Sequence, residues 1–541
     1  MDKDTTLDVA GILGRLQNRR EFLRSCSRGA GYSALALLLP ACGSGGGSDD
    51  DDDANDNGAN PSTPRAAIPP ASPEFTVLKR ISFGPHRDEL AAIRALGIDA
   101  YLEQQLDYLS IADGTLEADI AALFPLTLQT PEQLLAGFPD NIGLVATQMI
   151  AATQYRQMFS KRQLYELMVE FWSDHFNIHL LNGLGPTLKP YDDQQVIRAH
   201  ALGNFRDLLH ASAKSAAMLF YLDNFFNQAI APNENYAREL MELHTLGVDG
   251  GYTENDVKEV ARCFTGWTLR FPGDPGGAYG EFVFVAAIHD NGAKLVLGNP
   301  IAAGGGQGDA EQVLDLLAAH PSTAIHIATR LCERFISDTP PQAVIDAVAA
   351  AFTLSGGDIS DTLRALFAHA AFLETADAKF TRPSEYLAGL TRALGPDSPY
   401  PPDNGQLWLY AQNSLGQLPH YWPTPDGYPL HNDYWASTGG LLNRWRLSFL
   451  SFAGIIPGLD VISIDYTAML GGADTIGTVV DAITDAVTMR PLASEDRDRI
   501  VAWLVGEIGV DADFVLPPTV PEQVAALAAA VLVSSVYFHL R

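Results

Sequence analysis

Asn233-Glu234-Asn235-Tyr236-Ala237-Arg238-Glu239-Leu240-Met241-Glu242-Leu243-His244-Thr245-Leu246-Gly247 reads as one helix with both of its ends marked. Asn233 is an N-cap residue and Gly247 a stop residue. Between them Tyr236, Leu240, Leu243 and Leu246 form an apolar stripe at helical spacing. Arg238 stands four residues from both Glu234 and Glu242, the spacing of helix-surface ion pairs. Glu239 and Glu242 are three apart and point the same way. His244 lies nearly opposite Glu242 and beside Met241, so Glu242 and His244 do not hold one metal from this helix alone.

The loop after this helix, Gly247 to Thr253, contains Gly250-Gly251 and so permits a tight reversal. Thr253 and Asp256 have the spacing of a capping box for a second helix. The two helices are expected as a hairpin whose antiparallel packing brings Arg262 and Trp267 into one neighbourhood. Further helical patterns cover Gln163 to His175, Glu254 to Phe264, Ala310 to Ala319, Ser322 to Ile336, Pro341 to Phe352, Ile359 to Ala368, Ser384 to Leu394 and Pro521 to Tyr537. The best strand is Glu281 to Val285, with Lys294 to Leu297 as its hairpin partner. The fold class expected is therefore mainly α-helical, a multi-helix globular body with at most a small β-hairpin. It occupies 74–541 as one large domain that divides into lobes of about 74–395 and 396–541.

Chemistry-bearing residues also occur outside the first helix. His175 and His179 are four apart on the helical pattern Glu170-Phe-Trp-Ser-Asp174-His175-Phe-Asn177-Ile-His179, the spacing at which two imidazoles hold one metal. That segment has no His-Glu dipeptide of the zinc proteases, and the chain has no Glu-x-x-His. His289-Asp290 is a further imidazole and carboxylate pair. There is no Walker loop, dinucleotide fingerprint, Cys-x-x-Cys or Gly-x-Ser-x-Gly elbow in the body, which counts against nucleotide and lipase chemistry. Tyr421-Trp422-Pro423-Thr424-Pro425-Asp426-Gly427-Tyr428-Pro429, with Trp435 beyond, reads as a Pro-stiffened loop packed on the core or as an aromatic platform for a polymer.

The N-terminus carries an address. Asn18-Arg19-Arg20-Glu21-Phe22-Leu23-Arg24 resembles a twin-arginine export signal, and Leu39-Pro40-Ala41-Cys42 resembles a lipoprotein box. The apolar stretch between them falls below the ~20 residues that span a bilayer. Residues 1–41 are expected as a removable signal and Cys42 as the lipidation site, with Pro40 departing from the usual box. Residues 42–73, rich in Gly, Ser, Asp and Pro with five acids at Asp49 to Asp53, are expected as a disordered acidic tether. The protein is expected to be a periplasmic or outer-membrane lipoprotein exported through the twin-arginine pathway, with secretion as the runner-up. Its membrane partner is reached through the lipid on Cys42.

The full chain has 35 Lys and Arg against 65 Asp and Glu, a net charge of −30. Such a field repels nucleic acid and anionic surfaces, so no nucleic-acid partner is expected. With Cys26 in the signal and Cys42 at the box, Cys263 and Cys332 remain in the body, either as a bridge or as two buried thiols.

Taken together, the body segments resemble the bacterial family known as domain of unknown function 1800. The likeness runs from Leu78-Lys-Arg-Ile-Ser-Phe-Gly84 through Phe171-Trp-Ser-Asp-His-Phe176, Tyr221-Leu-Asp-Asn224, Asn233 to Gly247, Gly251-Tyr-Thr253, Thr265-Gly-Trp267, His289-Asp-Asn-Gly292, His320-Pro321 and Arg382-Pro383 to Leu442-Asn-Arg444. The resemblance puts His175, Asp223, Asn224, Asn233, Glu234, Asn235, Arg238, Glu239, Glu242, His244, Trp267 and His289 at the family's motif positions. The family usually has His-Pro where this chain has Ser215-Ala216-Ala217, and Gly-Trp where it has Gly427-Tyr428. The resemblance implies a fold and export but no reaction.

Two function classes are compatible with these residues. One is a metal-assisted hydrolase of an envelope or extracellular polymer. Its site lies where the Asn233 helix meets the His175 helix, with Glu239, Glu242, His244, Arg238 and Asn235 as catalytic residues. His175 and His289 are then the ligands of a divalent or transition metal. The other is a binding or assembly lipoprotein, with an unknown polymer or protein partner, in which the same polar groups are structural.

Overall fold

The computed structural model describes residues 67–137, 140–394, 406–452 and 464–541. The signal, Cys42 and nearly all of the tether lie outside the described residues, as does the lobe boundary expected at 395/396. The chain is mainly helical, and among the described residues the strands form two separate two-stranded antiparallel sheets. The expected pairing of the two strand segments is not the one formed. Phe282–Phe284 pairs instead with Trp267–Leu269, matching Trp267 to Phe284. Lys294–Val296 folds back on Asn299–Ile301. The reason is local: Leu297 and Gly298 both have positive φ, 48° and 74°, which is the two-residue turn that suits strand twist. Asp256 Oδ1 holds this turn by accepting from the Leu297 N–H at 2.8 Å.

The chain clusters into two compact units. Of the described residues, the smaller comprises 67–75, 393–394, 441–452 and 464–540. In it the Ile476–Val487 helix starts from a Thr475–Thr478 capping box and buries Ile476, Val479, Val480 and Ile483 along one stripe. The helix expected over Pro521 to Tyr537 is two helices, Val520–Val533 and Val536–His539. Ser534 bonds back to the Ala530 carbonyl at 2.7 Å and Ser535 is extended, which stops the first helix.

The larger unit comprises, of the described residues, 76–137, 140–392, 406–440 and Arg541. Its centre is the Gln163–His175 helix, buried nearly all round. Leu164, Leu167, Met168, Phe171 and Trp172 supply the apolar faces. Glu166, Glu170 and Asp174, spaced four apart, form a buried acidic row that needs partners. Arg198 forks onto Glu166 at 2.9 and 3.1 Å. Arg382 bonds Asp174 at 2.7 Å and Glu170 at 3.4 Å, and Ser384 donates to Glu170 at 2.7 Å. Arg334 joins Glu170 to Glu385. Packing elsewhere in the unit is equally close: a Cβ on Gly84 would lie 2.3 Å from the Gly389 Cα.

The Asn233–Gly247 helix forms, with a change of pitch inside it. Asn235–Glu239 is α-helical and Leu240–Thr245 is π-helical, Leu246 N–H reaching the Met241 carbonyl at 2.9 Å. The extra residue per turn rotates the later side chains. Met241, His244 and Thr245 are therefore buried, while Leu243, expected in the stripe, is only half-buried. Asn233 caps by accepting from the Asn235 N–H at 2.9 Å, and Gly247 takes φ 83°. The Thr253–Asp256 capping box forms, and Tyr236 meets Phe264 across the hairpin at 5.1 Å between ring centres.

Candidate functional site

The π-helical turn ends with free carbonyls, as every helix C-terminus does. Two imidazoles satisfy them: His175 Nε2 donates to the His244 carbonyl at 3.0 Å, and His326 Nε2 to the Leu243 carbonyl at 3.0 Å. The Asn233 helix and the His175 helix thus meet through His175 and His244, whose rings stand 6.1 Å apart. His175 Nδ1 and His244 Nε2 are left buried without a hydrogen-bond partner. Burial, helped by the neighbouring Arg330 and His326, keeps these rings neutral. It holds His175 well below the usual imidazole range, takes His244 down to about 3, and takes His326 to about 4.

Outward from the imidazoles lies Arg330, which feels Glu333, Asp174 and Asp426. Glu239, Glu242 and Asp426 form a group of carboxyls within electrostatic reach, the last of which also acts on Arg330. Glu239 is half-buried and has no hydrogen-bond partner among the described residues. Burial raises its pKa, and the nearby Glu242 and Asp426 raise it further against the pull of Arg238. Tyr252 reaches Glu242 at 3.5 Å. Arg238 is turned to Glu254, forking onto it at 2.7 and 2.8 Å, with Glu234 at 3.5 Å. Asn235 is exposed, and its amide holds the Leu222 carbonyl at 3.2 Å.

Asp426 is delivered by the aromatic loop, which packs onto the body. Asn177 donates to the Trp422 and Thr424 carbonyls at 3.0 and 2.7 Å, and Tyr221 to the Pro423 carbonyl at 2.9 Å. Gly427 sits against the end of the His175 helix, where a Cβ would lie 2.0 Å from the Asp174 carbonyl oxygen. With φ 70° as well, that position admits only glycine. Tyr428 and Trp435 are buried, and Trp422 Nε1 holds Asp426 at 2.9 Å.

The expected metal pair is not assembled. His289 Nδ1 donates to the Thr265 carbonyl at 2.8 Å and Nε2 faces Asp309 at 3.2 Å, so both of its nitrogens are occupied. Lys294 completes this buried group by bonding the same Asp309 oxygen. His179 does not share a helical face with His175, because the helix ends at His175 and Phe176 leaves it. Among the described residues no three His, Cys, Asp or Glu side chains are grouped to hold a metal. Cys263 and Cys332 are buried free thiols, and burial pushes both up to about 12.

Asn224 and Asn227 spend their amides inside the hairpin, on the Trp267 carbonyl at 3.0 Å and the Ala261 carbonyl at 2.9 Å. Asp223 sits at φ 63° and begins the turn that carries them. Arg330, His326 and Asp426 were not anticipated, since nothing in their local spacing marks them. The row Glu166, Glu170, Asp174 was visible as three acids at helical spacing within an apolar segment. Beside it His420, held at φ 61°, bonds Ser173 and Thr153 at 3.1 and 3.0 Å over a cavity of about 20 Å³. That is room for about one water.

A family model described as protein of unknown function (DUF1800) matches residues 76–535. The chain belongs to the DUF1800 family. No curated protein and no solved structure matches it. For this DUF1800 protein, function therefore rests on the chemistry of the residues themselves.

Proposed function

We propose that this DUF1800 protein is an exported cell-envelope enzyme that hydrolyses an envelope or extracellular polymer by acid–base chemistry on the face of Glu239, Glu242 and Asp426. The observation that carries this reading is Glu239: a half-buried, unpartnered carboxyl whose proton is held longer by burial and by two neighbouring acids. A carboxyl whose proton is held longer in this way is suited to act as a general acid. Glu242 or Asp426 then serves as the base, Tyr221 and Tyr252 border the substrate, and Arg330 offsets charge from behind. His244 and His175 act as neutral supports beneath the face.

The second reading is a non-catalytic binding or assembly lipoprotein. It is favoured by the way the motif imidazoles and amides are used on backbone carbonyls. Glu239→Gln separates the two. The enzyme reading expects release of dye from labelled murein or polysaccharide to fall by about 100-fold, with the thermal midpoint unchanged. Release by neither protein favours the second reading, and equal release by both places the hydrolysis away from Glu239.

Arg19-Arg20 and the box ending in Cys42 support export through the twin-arginine pathway and lipid attachment, with the tether holding the body off the membrane. Cys42→Ala is expected to move the protein from the membrane fraction to the soluble envelope fraction. Unchanged membrane association in that variant would contradict lipid anchoring.

A further inference from the structure

Away from the Glu239 face, the larger unit contains an open cleft of about 610 Å³. That is within the ~300–1,000 Å³ of ligand pockets. None of its lining residues belongs to the acid face, so a ligand held in the cleft is independent of the chemistry proposed for Glu239.

The floor of the cleft is built and rigid. Asp192 is 3% exposed, and both of its oxygens are held, one by Lys189 Nζ at 2.7 Å and one by Ser215 Oγ at 2.6 Å. Tyr279 is fixed by a 2.7 Å bond between its hydroxyl and that of Thr187. One wall is the π-helical turn Asp193–Arg198, which continues directly from the helix carrying Asp192 and sets Gln195 outward. Tyr191 stands at the rim, 44% exposed. The small side chains of Ser215, Ala216 and Ala217 leave the opposite wall open.

Charge decides what fits. Lys214 in the lining is already paired with Glu311 at 2.8 Å, and Asp192 and Glu281 are paired with Lys189 at 2.7 Å and Arg270 at 3.4 Å, so an anionic ligand finds no free cation there and meets the Glu132 carboxylate. A cation meets a different obstacle. Asp192 and Glu281 are already paired, and the Phe282 ring that lines the cleft has the Lys214 ammonium 5.9 Å from its centre. What remains is a neutral ligand able to use carboxylate, carboxamide and hydroxyl groups at once while laying an apolar face on Tyr191.

We propose that this cleft binds a neutral polyhydroxylated ligand, an oligosaccharide of several sugar units. The test is calorimetric titration of the full chain with cello-, laminari-, malto- and chito-tetrasaccharides. At least one is expected to bind with a Kd of about 1 mM or tighter, with little dependence on salt. Tyr191→Ala and Gln195→Ala, both at exposed positions, are expected to weaken that binding about 10-fold without moving the thermal midpoint. Ala216→Trp, which fills the cleft, is expected to abolish it. The proposal is overturned if none of the four sugars binds, if spermine or inositol hexaphosphate binds the cleft in their place, or if sugar binding is unchanged in all three variants.

Discussion

The larger unit is expected to unfold as the pH is lowered from about 7 to about 4. His244 and His420 are 1% and 7% exposed and are held neutral by burial, with pKa values of about 3 and about 4. In the unfolded chain each takes up a proton near pH ~6.5. Below that value the unfolded state binds more protons than the folded one, so stability falls as pH falls, and it goes on falling until the folded pKa is reached. Each depressed imidazole is worth about 3–5 kcal/mol as an upper figure over that window. His175 and His326 add to it in the same direction.

Asp174 opposes this trend. Burial and Glu170 outweigh Arg382 and lift its carboxyl to about 6, so the folded state takes up that proton first and gains stability between about pH 6 and 4. Its contribution is about 3 kcal/mol, less than that of the histidines together, and the net loss is comparable to a total stability of ~5–15 kcal/mol. Tryptophan fluorescence against pH should show cooperative unfolding above about pH 4, and His244→Asn should flatten the slope. A thermal midpoint that stays constant between about pH 7 and 4 would contradict neutral buried histidines.

Arg382→Ala is expected to cost about 3–5 kcal/mol, because it leaves Glu170 and Asp174 buried beside each other with too little positive charge. Arg382 now bonds both acids and lies 5.7 Å from the Trp435 ring centre, so charge and packing are lost together. Arg334 reaches Glu170 only at 3.5 Å and is shared with Glu385. In an Asp174→Asn background the same substitution should cost at least about 1.5 kcal/mol less, measured by urea unfolding. Strictly additive costs would show that the two side chains do not act as a pair.

Much of this architecture was legible in the residues. The Gln163–His175 helix, the capping box at Thr253 and the stop at Gly247 all form as their local chemistry requires. The π-helical turn at Leu240–Thr245 was not legible, since one added residue per turn leaves no mark in sequence spacing. Its effect is large, because it buries His244 and half-exposes Leu243. His175 and His179 misled for a related reason: their spacing means one face only if the helix continues, and it stops between them. His289 was rightly seen beside a carboxylate, but the partner that matters is Asp309, twenty residues away. Gly427 shows the converse, a residue whose identity is set by the carbonyl it must approach and not by its own loop.

The most direct measurement is fragment release from isolated bacterial envelopes by the protein and by its Glu239→Gln variant at matched concentration and thermal midpoint. Release by the first and not by the second is the result predicted. Equal release by both, or release by neither, would contradict catalysis at the Glu239 face.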